Sequence, residues 1–208
     1  MIVIVDYGIG NLCSIANMFK KVDAEALISS KITDIERAEK LVLPGVGAFD
    51  NGIKRLNEFG LVQVLNKKVL EGGTPILGIC LGMQLFGKKS EEGRMNGLGW
   101  LDAETVKLKF DGAGADLKIP HMGWNTVNVL KESFLFDMIE PAQRFYFVHS
   151  YHLRCNREDD IIAETHYGCD FVSAVKKDNI VGVQFHPEKS HRFGMELFRR
   201  FVRGFATC

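Results

Sequence analysis

Residues 74–82 read TPILGICLG, an apolar run that ends in a cysteine between two glycines. A short run of this kind is typical of a strand buried on both faces of a parallel sheet. The pattern Gly-x-nucleophile-x-Gly is typical of a sharp turn from a strand into a helix. The turn holds the nucleophile in a strained backbone conformation. We therefore predict a strand over residues 74–79, a helix from Leu81, and Cys80 as a nucleophile between them.

The residues before this stretch alternate between strand-like and helix-like patterns. Continuous apolar runs predict strands at 2–5, 26–28 and 40–43, the last of them stopped by a Pro-Gly pair. Apolar residues at helical spacing predict helices over 11–22 and 59–70, with one or two helical turns at 33–39. This alternation implies a parallel sheet with helices on both faces.

From about residue 98 the pattern changes to short strands without long helices between them. Strands are predicted at 104–108, 124–130, 144–148, 161–165, 171–176 and 180–185, and a final helix at 192–205. The sequence contains no internal repeat and no linker-like tract. The predicted fold class is α/β: a single domain over residues 1–208, with a central, mostly parallel sheet flanked by helices and additional antiparallel or mixed strands in the second half.

The composition excludes several classes of function. Lys and Arg together number 26, and Asp and Glu together also number 26, so the formal net charge is zero. Neither a nucleic-acid surface nor a polybasic membrane anchor is therefore expected. No apolar run approaches the length of a membrane span, and the first residues lack the pattern of a signal peptide. The five cysteines are widely spaced, which favours reduced thiols in the cytoplasm over a disulfide scaffold or a structural zinc site. We predict no metal and no organic cofactor.

A cysteine nucleophile needs a base, and the base needs an orienting group. His186 directly follows the apolar run 180–185, and Pro187 biases it toward an extended backbone. Residues i and i+2 of an extended segment face the same side, which places Glu188 within reach of the His186 ring. We predict a triad of Cys80 as nucleophile, His186 as general base and acid, and Glu188 as orienting group. A buried structural cysteine and a polar surface turn are the alternatives for the same residues.

Two backbone segments are candidates for stabilising an oxyanion. The N–H of Leu81 opens the helix after Cys80 and can act as one donor. Residues 44–49 read PGVGAF, and their two glycines let the backbone approach a ligand closely and present N–H groups. A glycine-rich loop by itself is more often a turn than an oxyanion site.

Several of these segments together resemble a known family. GICLGMQ at 78–84 with HPE at 186–188 is similar to the class I (triad) glutamine amidotransferases. PGVGAF at 44–49, PHMGWN at 120–125, FVHSY at 147–151 and KS at 189–190 resemble, within that family, the glutaminase subunits of imidazole glycerol phosphate synthase. The resemblance runs from Asp6 to the C-terminal helix.

The resemblance implies an activity, a partner and roles for individual residues. Glutaminases of this kind hydrolyse L-glutamine to glutamate and ammonia through a thioester on Cys80. The ammonia passes to a HisF-type (β/α)8 cyclase subunit in a heterodimer that serves histidine biosynthesis. The oxyanion would be held by Leu81, Gly45, Val46 and Gly47, glutamine by Gln84, His149, Ser150 and Tyr151, and the partner by Asn11, Trp124 and Lys189. The segment around Val46 is expected to reorient before turnover.

Alternatives stay open at this point. The residues after KS, HRFGM at 191–195, are similar to paralogues that supply ammonia to a sugar-modifying synthase for surface polysaccharide. Glutaminase subunits of anthranilate, pyridoxal phosphate and aminodeoxychorismate synthesis share the triad but lack PHMGWN. A redox-sensing or chaperone-like member of the same fold would use Cys80 without needing His186, Glu188 or Gln84. A cysteine peptidase would need a groove in place of a small closed pocket.

Overall fold

The computed structural model describes residues 1–110, 117–136 and 143–205. Its strands are β1 (Ile2–Val5), β2 (Ala26–Ser29), β3 (Lys40–Gly45), β4 (Ile76–Cys80), β5 (Ala103–Lys107), β6 (His121–Val129), β7 (Gln143–His149), β8 (Tyr151–Cys155), β9 (Ile161–His166), β10 (Asp170–Lys177) and β11 (Ile180–Val183). Its α-helices are α1 (Leu12–Lys21), α2 (Ile32–Arg37), α3 (Phe49–Glu58), α4 (Leu61–Asn66), α5 (Leu81–Gln84) and α6 (His191–Arg203).

The strands form one sheet with a parallel half and an antiparallel half. Its order is β2-β1-β3-β4-β11-β10-β9-β6-β7, with β8 paired to both β10 and β5. The pairs from β2 to β11 are parallel, and those from β11 onward are antiparallel. The predicted fold class is therefore confirmed. The carboxyl ends of β3, β4 and β11 lie side by side, which is where α/β sheets place ligand sites.

Both faces of the parallel strands are covered by helices. In β1, Val3 and Val5 belong to one hydrophobic cluster, while Ile2 and Ile4 belong to the other. The first cluster includes buried residues of α3 and α4, and the second includes those of α1 and α6. Burial on both faces explains why these strands read as continuous apolar runs rather than alternating ones.

Several predicted boundaries differ from the structure. Strand β3 continues through Pro44 and Gly45, because these residues pair with Ile79 and Cys80 of β4. The helix predicted over 59–70 begins only at Leu61, since Gly60 has a left-handed backbone with φ 66°; it continues as a π-helix at Lys67–Glu71. The structure adds α3 and β8, which the sequence patterns did not predict. No helix within the described ranges is long and apolar enough to cross a membrane.

Candidate active site

Cys80 lies at the junction of β4 and α5 in a strained conformation. Its φ of 54° and ψ of −111° are uncommon for a residue with a side chain. Both flanking glycines are sterically required. A Cβ on Gly82 would lie 1.8 Å from the carbonyl oxygen of Leu43, and one on Gly78 would lie 2.5 Å from the Phe86 ring. The predicted strand, turn and helix around the cysteine are therefore present, with a close backbone approach that only glycine permits.

His186 and Glu188 form a buried hydrogen-bonded pair. Nδ1 of His186 lies 2.9 Å from Oε1 of Glu188, and the two side chains are 2% and 1% exposed. Since a carboxylate only accepts, Nδ1 carries the proton and donates. The extended backbone predicted for this segment ends at His186, because Pro187–Lys189 is a 3₁₀ turn. That turn, rather than an extended strand, brings the Glu188 carboxylate to the ring.

The Cys80 thiol faces the other side of the same ring. Nε2 of His186 is buried, and because Nδ1 is taken by Glu188 it is the ring nitrogen left for Cys80, whose charge and hydrogen bond act on the ring. Burial would lower the pKa of His186, but the Cys80 thiolate and the Glu188 carboxylate outweigh it and raise the pKa to about 10. At neutral pH the His186 ring is therefore an imidazolium, which places a positive charge and a proton donor beside the Cys80 sulfur.

The backbone around His186 is held by Ser190 and β7. The Ser190 hydroxyl donates to the carbonyl of His186 at 2.6 Å and accepts from the N–H of Tyr146 at 3.0 Å. The N–H of His186 donates to the carbonyl of Tyr146 at 2.8 Å. Three hydrogen bonds therefore fix the position from which the imidazole projects.

A cavity of about 390 Å³ opens above these groups. The predicted site residues that line it are Cys80, His186, Leu81, Val46, Gly47, Gln84, His149, Ser150 and Tyr151. Gly45 does not line the cavity: it lies behind it, where a Cβ would meet Leu81, Tyr7 and the backbone of Gly82 at 2.8–2.9 Å. The structure thus brings Cys80, His186 and the predicted oxyanion and substrate-binding residues to one cavity, with Gly45 supporting its wall and Glu188 behind the His186 ring.

The carbonyl of Tyr151 organises one wall of the cavity. It accepts from Nε2 of Gln84 at 2.9 Å and from Nδ1 of His149 at 2.9 Å. Nε2 of His149 then accepts from Nδ1 of His121 at 3.1 Å. Burial lowers the pKa of His149 to about 3 and that of His121 to about 4, so both rings are neutral at physiological pH.

Three residues at the site were missed by sequence reasoning. Tyr7 donates to the carbonyl of Pro44 at 2.5 Å, and burial, with the nearby Cys80 charge, raises its pKa. Glu92 lines the cavity, and its Oε2 accepts from the N–H of Phe49 at 2.8 Å. Gln184 donates to Sγ of Cys80 at 3.6 Å. Only Gln184 had a signal in the sequence, because it stands two residues before His186 at the end of a strand.

Two of the three predicted partner-facing residues lie in one aromatic cluster. The Trp124 ring, 39% exposed, stacks on His191 at 5.3 Å and meets Tyr146 edge-on at 6.3 Å. Nζ of Lys189 lies 5.6 Å from the centre of the Tyr146 ring. Asn11 lies at the start of α1, where its side chain accepts from the Ser14 hydroxyl at 2.9 Å.

The parallel sheet and the cysteine, histidine and glutamate at its carboxyl edge define an α/β enzyme of the cysteine-nucleophile class. Residues 3–205 match the family model for glutamine amidotransferase class-I, and the chain belongs to that family. The predicted resemblance and the predicted enzyme class, a glutamine amidotransferase, are therefore confirmed.

Relatives in the curated collection of proteins are similar over nearly their whole length. The imidazole glycerol phosphate synthase subunit HisH 2 of Methanococcus maripaludis is 52% identical over 203 residues, which is 98% of this chain and 99% of the relative. The protein of the same name from Pseudomonas aeruginosa is 50% identical over 202 residues, 97% and 98% of the two chains. The HisH subunit of Leptospira borgpetersenii is 44% identical over 97% of this chain and 99% of its own.

Solved structures share the fold at low identity. One described as a glutamine amidotransferase superposes with a TM-score of 0.73 at 20% identity, covering 97% of both chains. PurLQS from Thermotoga maritima superposes with a TM-score of 0.70 at 18% identity, covering 99% of this chain and 98% of the other. These two likenesses support the fold alone.

Proposed function

We propose that this chain is the glutaminase subunit of an imidazole glycerol phosphate synthase. It hydrolyses L-glutamine to glutamate and ammonia and passes the ammonia to a HisF-type cyclase subunit in the cytoplasm. One observation carries the proposal: Cys80 and His186, whose ring is held by the buried Glu188 carboxylate, line a cavity of about 390 Å³ that has room for one amino acid. The HisH names of the similar chains support the choice of pathway.

In the first half-reaction the Cys80 thiolate attacks the carboxamide carbon of glutamine. A carbon–sulfur bond forms, and the carbonyl electron pair moves to oxygen. When the tetrahedral species collapses, the carbon–nitrogen bond breaks and Nε2 of His186 gives its proton to the departing nitrogen. Ammonia leaves, and a glutamyl thioester remains on Cys80 beside a neutral imidazole.

In the second half-reaction water is the nucleophile. Nε2 of His186 takes a proton from water while the oxygen bonds to the thioester carbon. Collapse expels the Cys80 thiolate and releases the γ-carboxylic acid, which loses its remaining proton to solvent to give glutamate. The ring is again an imidazolium, held by the Glu188 carboxylate, and the pair returns to its starting charges.

The oxyanion of both tetrahedral species needs donors in front of Cys80. We assign one to the N–H of Leu81 and the other to the segment from Gly45 through Val46 to Gly47. Leu81, Val46 and Gly47 line the cavity. Gly47 has a φ of 92°, and because glycine adopts positive and negative φ about equally readily, the peptide group beside it can rotate. Reorientation of the Val46 peptide before turnover is part of this proposal.

The remaining cavity residues offer groups that fit the amino-acid end of glutamine. Glu92 brings a carboxylate to the cavity, which can pair with the α-ammonium group. Gln84 and the backbone of residues 149–151 form the wall on which the glutamine chain would lie. A free amino acid thus fits better than a peptide, whose α-nitrogen carries no charge.

The mouth of the cavity is apolar enough to be covered by another protein. Val46, which lines the cavity, is 44% exposed. Met122, 62% exposed, and Trp124 lie on β6, which follows the cavity residue Pro120, and Lys189 lies in the turn after His186. Exposed apolar patches around a site often mark protein contacts. We assign this surface, with Asn11, to the cyclase subunit, so that ammonia released at Cys80 does not enter solvent.

A paralogue that feeds a sugar-modifying synthase is the second candidate. His191, the first residue of the HRFGM stretch that resembles such paralogues, stacks flat on Trp124 with an interplanar angle of 1°, so this stretch begins on the proposed partner surface. Two relatives bear the number 2 in their names. The glutaminase chemistry is the same in both cases, and only the acceptor differs.

Glutamate release from L-glutamine distinguishes the candidates. The chain is assayed alone, with the HisF-type cyclase, and with the cyclase and its ribulosyl ligand. Strong activation by the loaded cyclase, lost in Cys80→Ala, is the result we expect. Labelling of Cys80 by a glutamine analogue without activation by this cyclase would assign the chain to the sugar-modifying paralogue.

A further inference from the structure

Gln184 occupies a fully buried position between the two halves of the site. It follows β11 directly, and its N–H donates to the carbonyl of Ser173 on β10 at 2.9 Å. Its side chain reaches Gln84 on one side and the Cys80 sulfur on the other. A buried amide of this kind is costly unless its polar atoms are used, and here they bridge the substrate wall and the nucleophile.

The orientation of the Gln184 amide follows from its partners. The Tyr151 carbonyl can only accept, so the atom of Gln84 that faces it at 2.9 Å is the NH₂ group. The same NH₂ group lies 3.1 Å from Gln184, whose facing atom must therefore be the oxygen Oε1. The other amide atom of Gln184 is then Nε2, which donates an N–H toward Sγ of Cys80 at 3.6 Å. The Tyr151 carbonyl thus fixes the direction of a chain of hydrogen bonds that ends on the nucleophile.

A hydrogen bond from an N–H group to the Cys80 sulfur stabilises the thiolate form more than the thiol form. A thiolate is a far better acceptor than a thiol or a thioester, because charge strengthens a hydrogen bond. The donor therefore favours the thiolate in the resting enzyme and again when the thiolate leaves in the second half-reaction. His186 supplies the opposite charge, but a hydrogen bond from Gln184 also limits the directions in which the sulfur can point.

We propose that Gln184 is a further catalytic residue: its Nε2–H donates to the Cys80 sulfur, stabilises the thiolate and holds it in the attacking position. The inference rests on the proposed glutaminase function for its meaning in turnover. The contact with the thiol, however, can be tested without glutamine.

The test uses Gln184→Met, which keeps the length and apolar volume of the side chain and removes the donor. The probe is iodoacetamide, a neutral thiol reagent, and the readout is the alkylation rate of Cys80 as a function of pH in the folded chain. We expect the alkylation rate on the rising limb of the profile, below its half-maximal pH, to fall about tenfold, which is a shift of the profile by about one pH unit. In the complex with the cyclase, kcat should fall about tenfold while KM changes by less than about twofold.

Ser173→Ala is the matched control. Ser173 is fully buried beside Gln184, and its Oγ has no hydrogen-bond partner within the described residues. Its alkylation profile and kcat should stay at the wild-type values. A Gln184→Met protein that folds and keeps the wild-type alkylation profile would overturn the proposal.

A second variant covers the case in which Gln184→Met does not fold. Gln84→Leu leaves the Gln184 amide in place but removes the group that fixes its direction, so the half-maximal pH should shift the same way by a smaller amount. An unshifted profile in this folded variant would also count against the proposal. Because alkylation needs neither glutamine nor partner, a chain that neither releases glutamate with the loaded cyclase nor reacts with a glutamine analogue would refute the glutaminase function and leave this readout intact.

Discussion

Gly82→Ala is the substitution that most sharply tests how the nucleophile is held. The new Cβ would lie 1.8 Å from the carbonyl oxygen of Leu43 and 2.8 Å from its carbon. Leu43 lies in the middle of the parallel sheet and is fully buried, so its backbone has little freedom to move. The start of α5 must instead shift away from β3 by about 1.6 Å to restore an ordinary contact of about 3.4 Å.

That shift has two measurable costs. Overpacking a well-packed core costs about 1–3 kcal/mol, and a contact with rigid backbone belongs at the upper end, so we expect about 3 kcal/mol of lost stability. Leu81 and Gln84 move with α5, and a displacement of about 1 Å at a reacting centre costs on the order of 100-fold in rate. The assays are urea unfolding and kcat/KM for glutamate release in the complex with the cyclase.

The control for this prediction is Gly99→Ala. Gly99 also has a positive φ, 69°, but a Cβ there meets nothing within 4 Å. It should lose about 1 kcal/mol to backbone strain and keep wild-type kcat/KM. A Gly82→Ala protein as stable and active as Gly99→Ala would refute the reasoning. The close approach of α5 to β3 would then contribute nothing to the free energy of unfolding or to the position of the catalytic groups.

Three further predictions concern the charges and the backbone at the site. Glu188→Gln should lower the pKa of His186 from about 10, because a neutral amide no longer favours the imidazolium; NMR titration of the ring measures this, and an unchanged pKa would contradict it. The same variant should lose about 100-fold in kcat. Val46→Pro should abolish partner-activated turnover but leave alkylation of Cys80 by iodoacetamide unchanged, since proline removes the N–H that we assign to the oxyanion; retained turnover would remove Val46 from the mechanism. Glu92→Gln should raise KM for glutamine about tenfold or more with a smaller effect on kcat, because it removes the charge that pairs with the ammonium group; an unchanged KM in steady-state kinetics would exclude that pairing.

Much of the parallel half of the fold could be predicted from local patterns. Strands buried on both faces are continuous apolar runs, so β1, β3 and β4 stand out in the sequence. Helix α3 was not predicted, and the helix predicted from Phe59 begins two residues later, because the left-handed backbone of Gly60 separates α4 from α3. Strand β8 was missed since a single residue, Ser150, separates it from β7, and its pairing partners β5 and β10 are distant in the sequence.

The candidate site was predictable where chemistry leaves a short motif. Cys80 stands between glycines that the backbone requires, and His186 and Glu188 are separated by one residue. Glu92 lies in no such motif. It reaches the cavity from a loop that is held by the hydrogen bond between its carboxylate and the N–H of Phe49, the first residue of α3. Such contacts arise from tertiary packing, and the spacing of residues along the chain does not predict them.

The central claim is that Cys80 forms a covalent bond with the glutamyl group of glutamine. The measurement that tests it most directly is intact-mass and peptide analysis of the chain, in complex with the loaded cyclase, after exposure to a chloroketone analogue of glutamine. We predict one adduct per chain on the peptide that contains Cys80, protection by excess L-glutamine, and no adduct in Cys80→Ala. An adduct on Cys13, Cys155 or Cys169, or none at all, would contradict the assignment of Cys80 as the nucleophile of a glutaminase.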